Sequence, residues 1–424
     1  MTAPTPTDTH TPLPTESARG RLLSWTTFGL VIVSAALLCE ARLWRPGDVF
    51  TGRENPQIAE ALSWWEGRLD IPERNWDTAI RDGKVYSHFP PAFTFISAAV
   101  APWFDGVPHV FIVVALALPL LLLSLRLGRS RTGATWAAIA FLFALVFGTS
   151  LHPVLEWTIR GGGPYVTNQT LAVIGQLILL GEYFGRRRVL IGGLGFVLAA
   201  LSRQLCIAYA LPYLYMAIQP DLPTGTAARP SVLHWNRIAL SVALALVPVA
   251  TTLTLNGLKF GHPLDSGYMR IYDDRPEDVF SRDARTFGLF SPHYVPRNLY
   301  YMNLGPPNVH RVEIEDKQRT FLRPNRWGTG IWWTSPILLL LFVDLRRILR
   351  STDEAIWLAS VGLVFVALMF YHSTGYEQRG FNRYSLDFVP VLMALIAPCA
   401  FRGKRLCFTV PAVAWSVLYF RWLI

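Results

Sequence analysis

Seven carboxylates crowd into one stretch between two apolar runs: Glu54, Glu60, Glu66, Asp70, Glu73, Asp77 and Asp82, beside Arg53, Lys84, Tyr86 and His88. A carboxylate held beside a substrate hydroxyl can take its proton, and that work needs the group fixed in advance. Glu54 is the first candidate for such a base. It follows the end of one apolar run and directly precedes a helix start, so its position is set on both sides. Asp70 and Asp77 are the alternatives in the same loop, and Tyr86 and His88 offer ring and hydrogen-bond contacts to a bound ligand.

A second set of residues is cationic. Arg203 interrupts a long apolar run, and an arginine at that depth is costly enough to suggest a task. Its two-pronged guanidinium suits phosphate. Arg379, Arg383 and Tyr384 lie within the segment from Tyr376 to Tyr384, just before another apolar run, and Asp387 sits one helical turn beyond Arg383, where the two could pair. The expectation is a phosphate held by Arg203, Arg379 and Arg383, with Tyr384 adding a hydroxyl. The nine histidines show no HExxH, and Cys39, Cys206, Cys399 and Cys407 form no CxxC, so neither a protein-only metal site nor a disulfide framework is expected. No metal ligand is assigned and a divalent metal stays open as a cofactor. Phosphate-binding Gly-rich loops in strand context are absent.

The elements that must position these groups are membrane helices. Of the 424 residues, 52% are hydrophobic and 16% charged, against roughly 25% charged in soluble domains. Apolar runs near 24–42, 108–125, 134–150, 166–184, 189–202, 204–218, 238–255, 328–344, 355–371, 385–400 and 406–422 make about eleven transmembrane helices, since a bilayer core asks for about 20 apolar residues each. The fold class expected is therefore an all-α polytopic membrane bundle. The net charge of +10 does not point to nucleic acid, because the excess sits in short alternate loops, such as Arg126, Arg129 and Arg131, or Arg186 to Arg188. That asymmetry places those loops and the N-terminus in the cytoplasm and two large loops, about 43–107 and 256–327, outside. Residues 1–20, rich in Thr and Pro, read as a disordered tail, and 21–424 as one transmembrane domain in the plasma membrane. Asn55 as cap, Pro56 in the first turn and Gly67 as stop mark a helix whose Ile58, Ala61, Leu62 and Trp65 share a face, as in a helix lying in the outer interface.

Four stretches then resemble the GT-C superfamily of membrane glycosyltransferases, of the protein O-mannosyltransferase and arabinosyl-lipid A transferase type. They are Ala61-Leu62 through Ile71 with Asp82-Gly83-Lys84-Val85-Tyr86-Ser87-His88-Phe89-Pro90-Pro91; Gly192-Gly193 through Ala199-Ala200-Leu201-Ser202-Arg203; Asn256, Phe260-Gly261, Pro263 and Gly267-Tyr268 with Gly328 through Pro336; and Gly380, Arg383-Tyr384, Asp387 and Pro390. They run in family order over most of residues 20–400. Where many members carry an acidic pair after the first helix, this chain has Arg53-Glu54-Asn55, with one acid.

The resemblance implies a GT-C-like bundle with its site between the large loops and the membrane. It also implies an inverting transferase that moves a sugar from a polyprenyl-phosphate donor to an acceptor hydroxyl, with a lipid, a glycan or a protein as acceptor and membrane lipids as surroundings. The alternative is a non-catalytic scaffold or transporter for a lipid-linked glycan.

Overall fold

The computed structural model describes residues 50–74, 77–159, 163–219, 235–273, 279–314, 317–325, 327–375 and 381–423. The expected tail, the run at 24–42 and Arg379 lie outside these residues.

The first large loop is closed at its base by a two-residue ladder, β1 (Phe50–Thr51) against β4 (Val107–Pro108), with Phe50 opposite Pro108. Inside it, α1 (Pro56–Trp65) starts where the sequence places it. The Asn55 side chain accepts from the Gln57 amide at 3.0 Å and Pro56 fills the first turn. The expectation of a helix lying flat with one face out is corrected, because residues 56 to 63 are all buried, Glu60 included, and only the last turn reaches the surface. A hairpin follows, β2 (Thr78–Arg81) and β3 (Lys84–Ser87), turned by Asp82 and Gly83, both at positive φ. Asp-Gly is a strong signal for this tight hairpin, whose twist matches the strands. Helix α2 (Ala92–Ala98) then packs beside α1.

The bundle is built from α3 (Leu118–Thr132), α4 (Thr135–Phe147), α5 (Leu151–Ile159), α6 (Pro164–Tyr183), α7 (Val189–Ser202), α8 (Ala210–Ile218), α9 (Trp235–Phe260), α10 (Leu340–Arg350), α11 (Thr352–Phe370), α12 (Val389–Ala400) and α13 (Leu406–Leu418), with shorter turns between them. A second hairpin, β5 (Asn308–Ile314) with β6 (Lys317–Arg323), projects from the second large loop. The bundle is helical as expected, and three small two-stranded sheets among the described residues add to it, each confined to a large loop or its base.

The expected count of about eleven spans is not established by helix length. α9, with 26 residues, and α11, with 19, are long and apolar enough to cross a membrane. A third span results if α4 and α5, bent by 72° at Gly148 to Ser150, are taken as one. Other expected spans are short or broken. The run at 328–344 splits at Pro336, which cannot continue the preceding turn, and α7 ends at Arg203 before a 3₁₀ turn, Gln204–Tyr209, leads into α8.

Helix α6 is the axis, with 18 of its 20 residues buried. α7 lies against it closely: a Cβ on Gly175 would sit 2.5 Å from the Gly195 carbonyl and the Ala199 amide. The glycines of the 192–203 motif therefore serve helix contact, as small residues do where backbones approach.

The arginine clusters gather at one end of the bundle and are tied to carboxylates. Glu182, fully buried, takes Arg126 at 2.9 Å and Arg188. Glu354 takes Arg131 and, at 2.6 Å, Arg347. Asp344 pairs with Arg405, and Asp353 with Arg187 at 2.9 Å. These pairs join the ends of α3, α6, α10, α11 and the segment before α13. The large loops occupy the other end.

Candidate active site

A cavity of about 680 Å³ opens at the end opposite the arginine network. Its walls come from His88 to Pro90, the start of α6, the end of α7, the second large loop, the end of α11 and the 3₁₀ turn Arg383–Asp387. Of the expected site residues, Asp77, His88, Arg203, Arg383 and Tyr384 line this one space.

Arg203 meets Asp387 through both prongs of its guanidinium, Nε to Oδ1 at 2.9 Å and Nη2 to Oδ2 at 2.8 Å. The same guanidinium stacks over the Tyr384 ring at 4.9 Å. The expected pairing of Asp387 with Arg383 is corrected. Residues 383 to 387 form a 3₁₀ turn with three residues per turn, so positions i and i+4 point to different sides instead of sharing a face. Arg383 instead lies between two rings, Tyr165 at 4.5 Å and Tyr384 at 5.0 Å.

The 3₁₀ turn is held by α6. Gln169 donates to the Arg383 carbonyl at 3.0 Å, and Gln176 to the Leu386 carbonyl at 3.0 Å. On the same helix Asn168 donates to the Pro90 carbonyl at 3.2 Å, which Gln57 of α1 also reaches at 2.7 Å. Along the sequence Asn168-Gln169-Thr170 reads as a chance glycosylation sequon within a membrane helix, and Gln57 and Gln176 carry no signal of their own. Taken together, Asn168, Gln169 and Gln176 are polar residues in an otherwise apolar helix, a pattern that marks buried function.

His88 packs between Phe89, with ring centroids 4.3 Å apart, and Tyr268 at 4.6 Å. Tyr268 is delivered by Gly267, whose positive φ and missing Cβ let the chain cross the Phe260 ring; a Cβ there would be 2.3 Å from it. Tyr86, on β3, faces Phe260 at 5.9 Å and is not part of the cavity wall. The second loop contributes Tyr272, whose hydroxyl is 2.5 Å from Nε2 of His372, a buried residue just past α11. His372 is fixed by its own backbone: its amide donates to the Leu289 carbonyl at 2.9 Å and its carbonyl accepts from Arg297. Neither Tyr272 nor His372 carried a spacing signal.

The three loop carboxylates are placed differently. Glu54 is exposed, and its carboxylate accepts from the Gly52 amide at 2.8 Å, outside the cavity wall. Asp70 pairs with Arg68 at 3.2 Å and Lys84 at 3.9 Å, also away from it. Asp77 is in the wall. Among the described residues no three His, Cys, Asp or Glu side chains come together as a set that could hold a metal ion.

No family model matches this chain, and no curated protein does. Among solved structures, ArnT from Cupriavidus metallidurans bound to undecaprenyl phosphate matches over 94% of this chain at TM-score 0.51 with 12% identity. The chain has the GT-C fold. It spans 63% of the ArnT chain. The archaeal oligosaccharyltransferase AglB from Archaeoglobus fulgidus, in complex with an inhibitory peptide and a dolichol-phosphate, aligns over 94% of this chain and 55% of its own at TM-score 0.44 with 14% identity. With a GT-C fold and helices such as α9 and α11, the chain is an integral membrane protein. In this GT-C bundle the cavity lies where the two large loops meet the helix ends.

Proposed function

We propose that this GT-C protein is an inverting glycosyltransferase that takes a sugar from a polyprenyl-phosphate donor and passes it to an acceptor hydroxyl. The observation that carries the reading is the cavity, which joins one carboxylate, Asp77, to Arg383 and to a wall of tyrosine and histidine rings. Aromatic faces suit a sugar ring. Arg383, backed by the Tyr165 and Tyr384 rings, meets the donor phosphate. Arg203 brings little net charge of its own, since Asp387 neutralises it, and acts by holding Tyr384.

In the reaction, a lone pair of the acceptor oxygen attacks the anomeric carbon from the face opposite the phosphate. The bond between that carbon and the phosphate oxygen breaks and its electrons leave on the polyprenyl phosphate. The acceptor proton passes to a carboxylate. Asp77 takes that part, ahead of Glu54 and Asp70, because it is the one of the three in the cavity wall. Charge growing on the phosphate is met by Arg383, an electrostatic contribution of the kind that often dominates catalysis.

The arginine network then faces the cytoplasm of a plasma membrane and the cavity faces outward, with the N-terminus inside. Reporter fusions after Arg188 and after Arg270 should report cytoplasmic and external locations respectively. The function itself is tested with purified protein in lipid nanodiscs and radiolabelled polyprenyl-phosphate sugars. Consumption of the donor, lost in Arg383→Ala, supports the reading. Tight binding of undecaprenyl phosphate without turnover of any donor favours the scaffold or transporter, and absence of both binding and turnover overturns the proposal.

A further inference from the structure

Helix α9 turns few of its residues into the protein: Ser241, Pro248, Lys259 and Phe260 are its buried positions. A lysine in the last turn of such a helix would ordinarily extend its ammonium into water or headgroups, at little cost. Lys259 does the reverse. Its side chain is 4% exposed and its ammonium pairs with Glu60 of α1, which is fully buried. The same ammonium donates to the Ser87 carbonyl at 3.0 Å. Thr94 donates to the other Glu60 oxygen at 2.9 Å. Glu60 thus ties α1 to α2 and α9, and Lys259 carries that tie to the residue just before His88.

We infer that Lys259 is a positioning residue: its ammonium, held by Glu60, pins the Ser87 carbonyl and thereby sets His88 against Tyr268 in the cavity wall. The Ser87 to Pro91 segment leaves the β2–β3 ladder at Ser87, opposite Thr78, and side chains hold two of its carbonyls, Lys259 that of Ser87 and the Gln57 and Asn168 amides that of Pro90. Proline supplies no amide hydrogen at positions 90 and 91, so at that end the backbone offers carbonyls but no donors. A buried ion pair alone is weak evidence for stability, since an apolar pair of similar size often serves as well. The third contact, to the backbone beside a cavity residue, is what gives this pair a purpose beyond the core. The effect on turnover rests on the proposed transferase; the effect on segment order does not.

The test compares Lys259→Met, Lys259→Met with Glu60→Gln, and wild type, all as full chain in nanodiscs. Lys259→Met leaves Glu60 buried without its partner, so it is expected to lower thermal stability. The double variant removes both charges while keeping an acceptor for Thr94, and its melting temperature should return close to wild type. Hydrogen exchange at the His88 and Phe89 amides should nevertheless stay about tenfold or more faster in the double variant, the scale of one lost charge-assisted hydrogen bond. The kcat for donor consumption should fall by a similar factor. Wild-type exchange at His88 and Phe89 in a stable double variant would overturn the inference and leave Lys259 a purely structural residue. Faster exchange with unchanged kcat would overturn the link to catalysis. If wild type consumes no donor, the proposed reaction fails, and exchange still decides whether Lys259 holds the segment.

Discussion

Arg203 and Asp387, 184 positions apart, close on each other across two helix ends, with both guanidinium prongs on both carboxylate oxygens. Asp387 is 1% exposed and Arg203 18%. Removing either partner leaves an uncompensated buried charge, which costs about 3–5 kcal/mol. Arg203→Ala and Asp387→Ala are each expected to unfold at markedly lower temperature. Arg203→Met with Asp387→Leu should recover most of that loss, as read by thermal unfolding in detergent. A double variant as unstable as the sum of the singles would show that the two residues act independently.

Asp77 is expected to be the carboxylate whose loss stops the reaction. Asp77→Asn should keep its fold and its binding of undecaprenyl phosphate while turnover drops about 10²–10⁴-fold. Glu54→Gln and Asp70→Asn, altered outside the cavity wall, should change turnover by less than about threefold. Single-turnover rates with a radiolabelled donor separate the three. Loss of turnover in Glu54→Gln with none in Asp77→Asn would move the base out of the cavity.

Gln169 lies in the second turn of α6, the helix that holds the Arg383–Asp387 turn, and its amide donates to the Arg383 carbonyl. Gln169→Leu leaves that carbonyl without its donor at a cost of about 1–3 kcal/mol. The expected result is weaker undecaprenyl phosphate binding with an unchanged overall helix content, measured by lipid-binding isotherms and circular dichroism. Gln176→Leu, acting on the Leu386 carbonyl one turn further into the bundle, should lower stability with a smaller effect on binding.

Asp265 fixes the segment that delivers Tyr268. Burial by itself would raise its carboxyl pKa, but the Arg270 hydrogen bonds, at 2.7 and 3.1 Å, and the Gly267 amide outweigh burial and hold it below the ordinary carboxylate range. A carboxylate lowered on folding adds stability that is fully present above its unfolded value of about 3.9 and is lost as pH falls through the folded value. Exchange at Gly267 to Tyr272, corrected for intrinsic rates, should therefore be flat from about pH 8 to 5 and rise below that. Asp265→Asn should abolish the rise. A rise that survives in Asp265→Asn would place the titrating group elsewhere.

Much of the site was legible as residue types. Arg203, Arg383, Tyr384 and His88 stood out as a costly arginine, an arginine-tyrosine pair at a helix entrance and a histidine before two prolines, and they share one cavity. The partnerships were not legible. Asp387 looked like a partner for Arg383 because helical spacing was assumed, and the 3₁₀ turn removed that face. Glu60 is one of seven carboxylates in its loop with nothing local to set it apart, and Lys259 lies almost two hundred residues away from it. The Asp82-Gly83 hairpin is readable from its dipeptide, which suits a two-residue turn with positive φ at both positions.

Membrane character, the cap that starts α1, the break at Arg203 and the collection of arginines in alternate loops are readable along the chain alone. Each of these follows from local chemistry: apolar length against bilayer thickness, a side chain reaching its own backbone, and the cost of moving charge into hydrocarbon. Folding set which carboxylate neutralises which arginine, that Gly195 of α7 lets that helix come close to Gly175 of α6, and that Asp77 rather than Glu54 reaches the cavity wall. Those outcomes depend on residues far apart in the chain meeting where water is excluded. There a charge must find an opposite charge and a backbone carbonyl must find a donor, and spacing along one segment carries no information about which distant group will arrive.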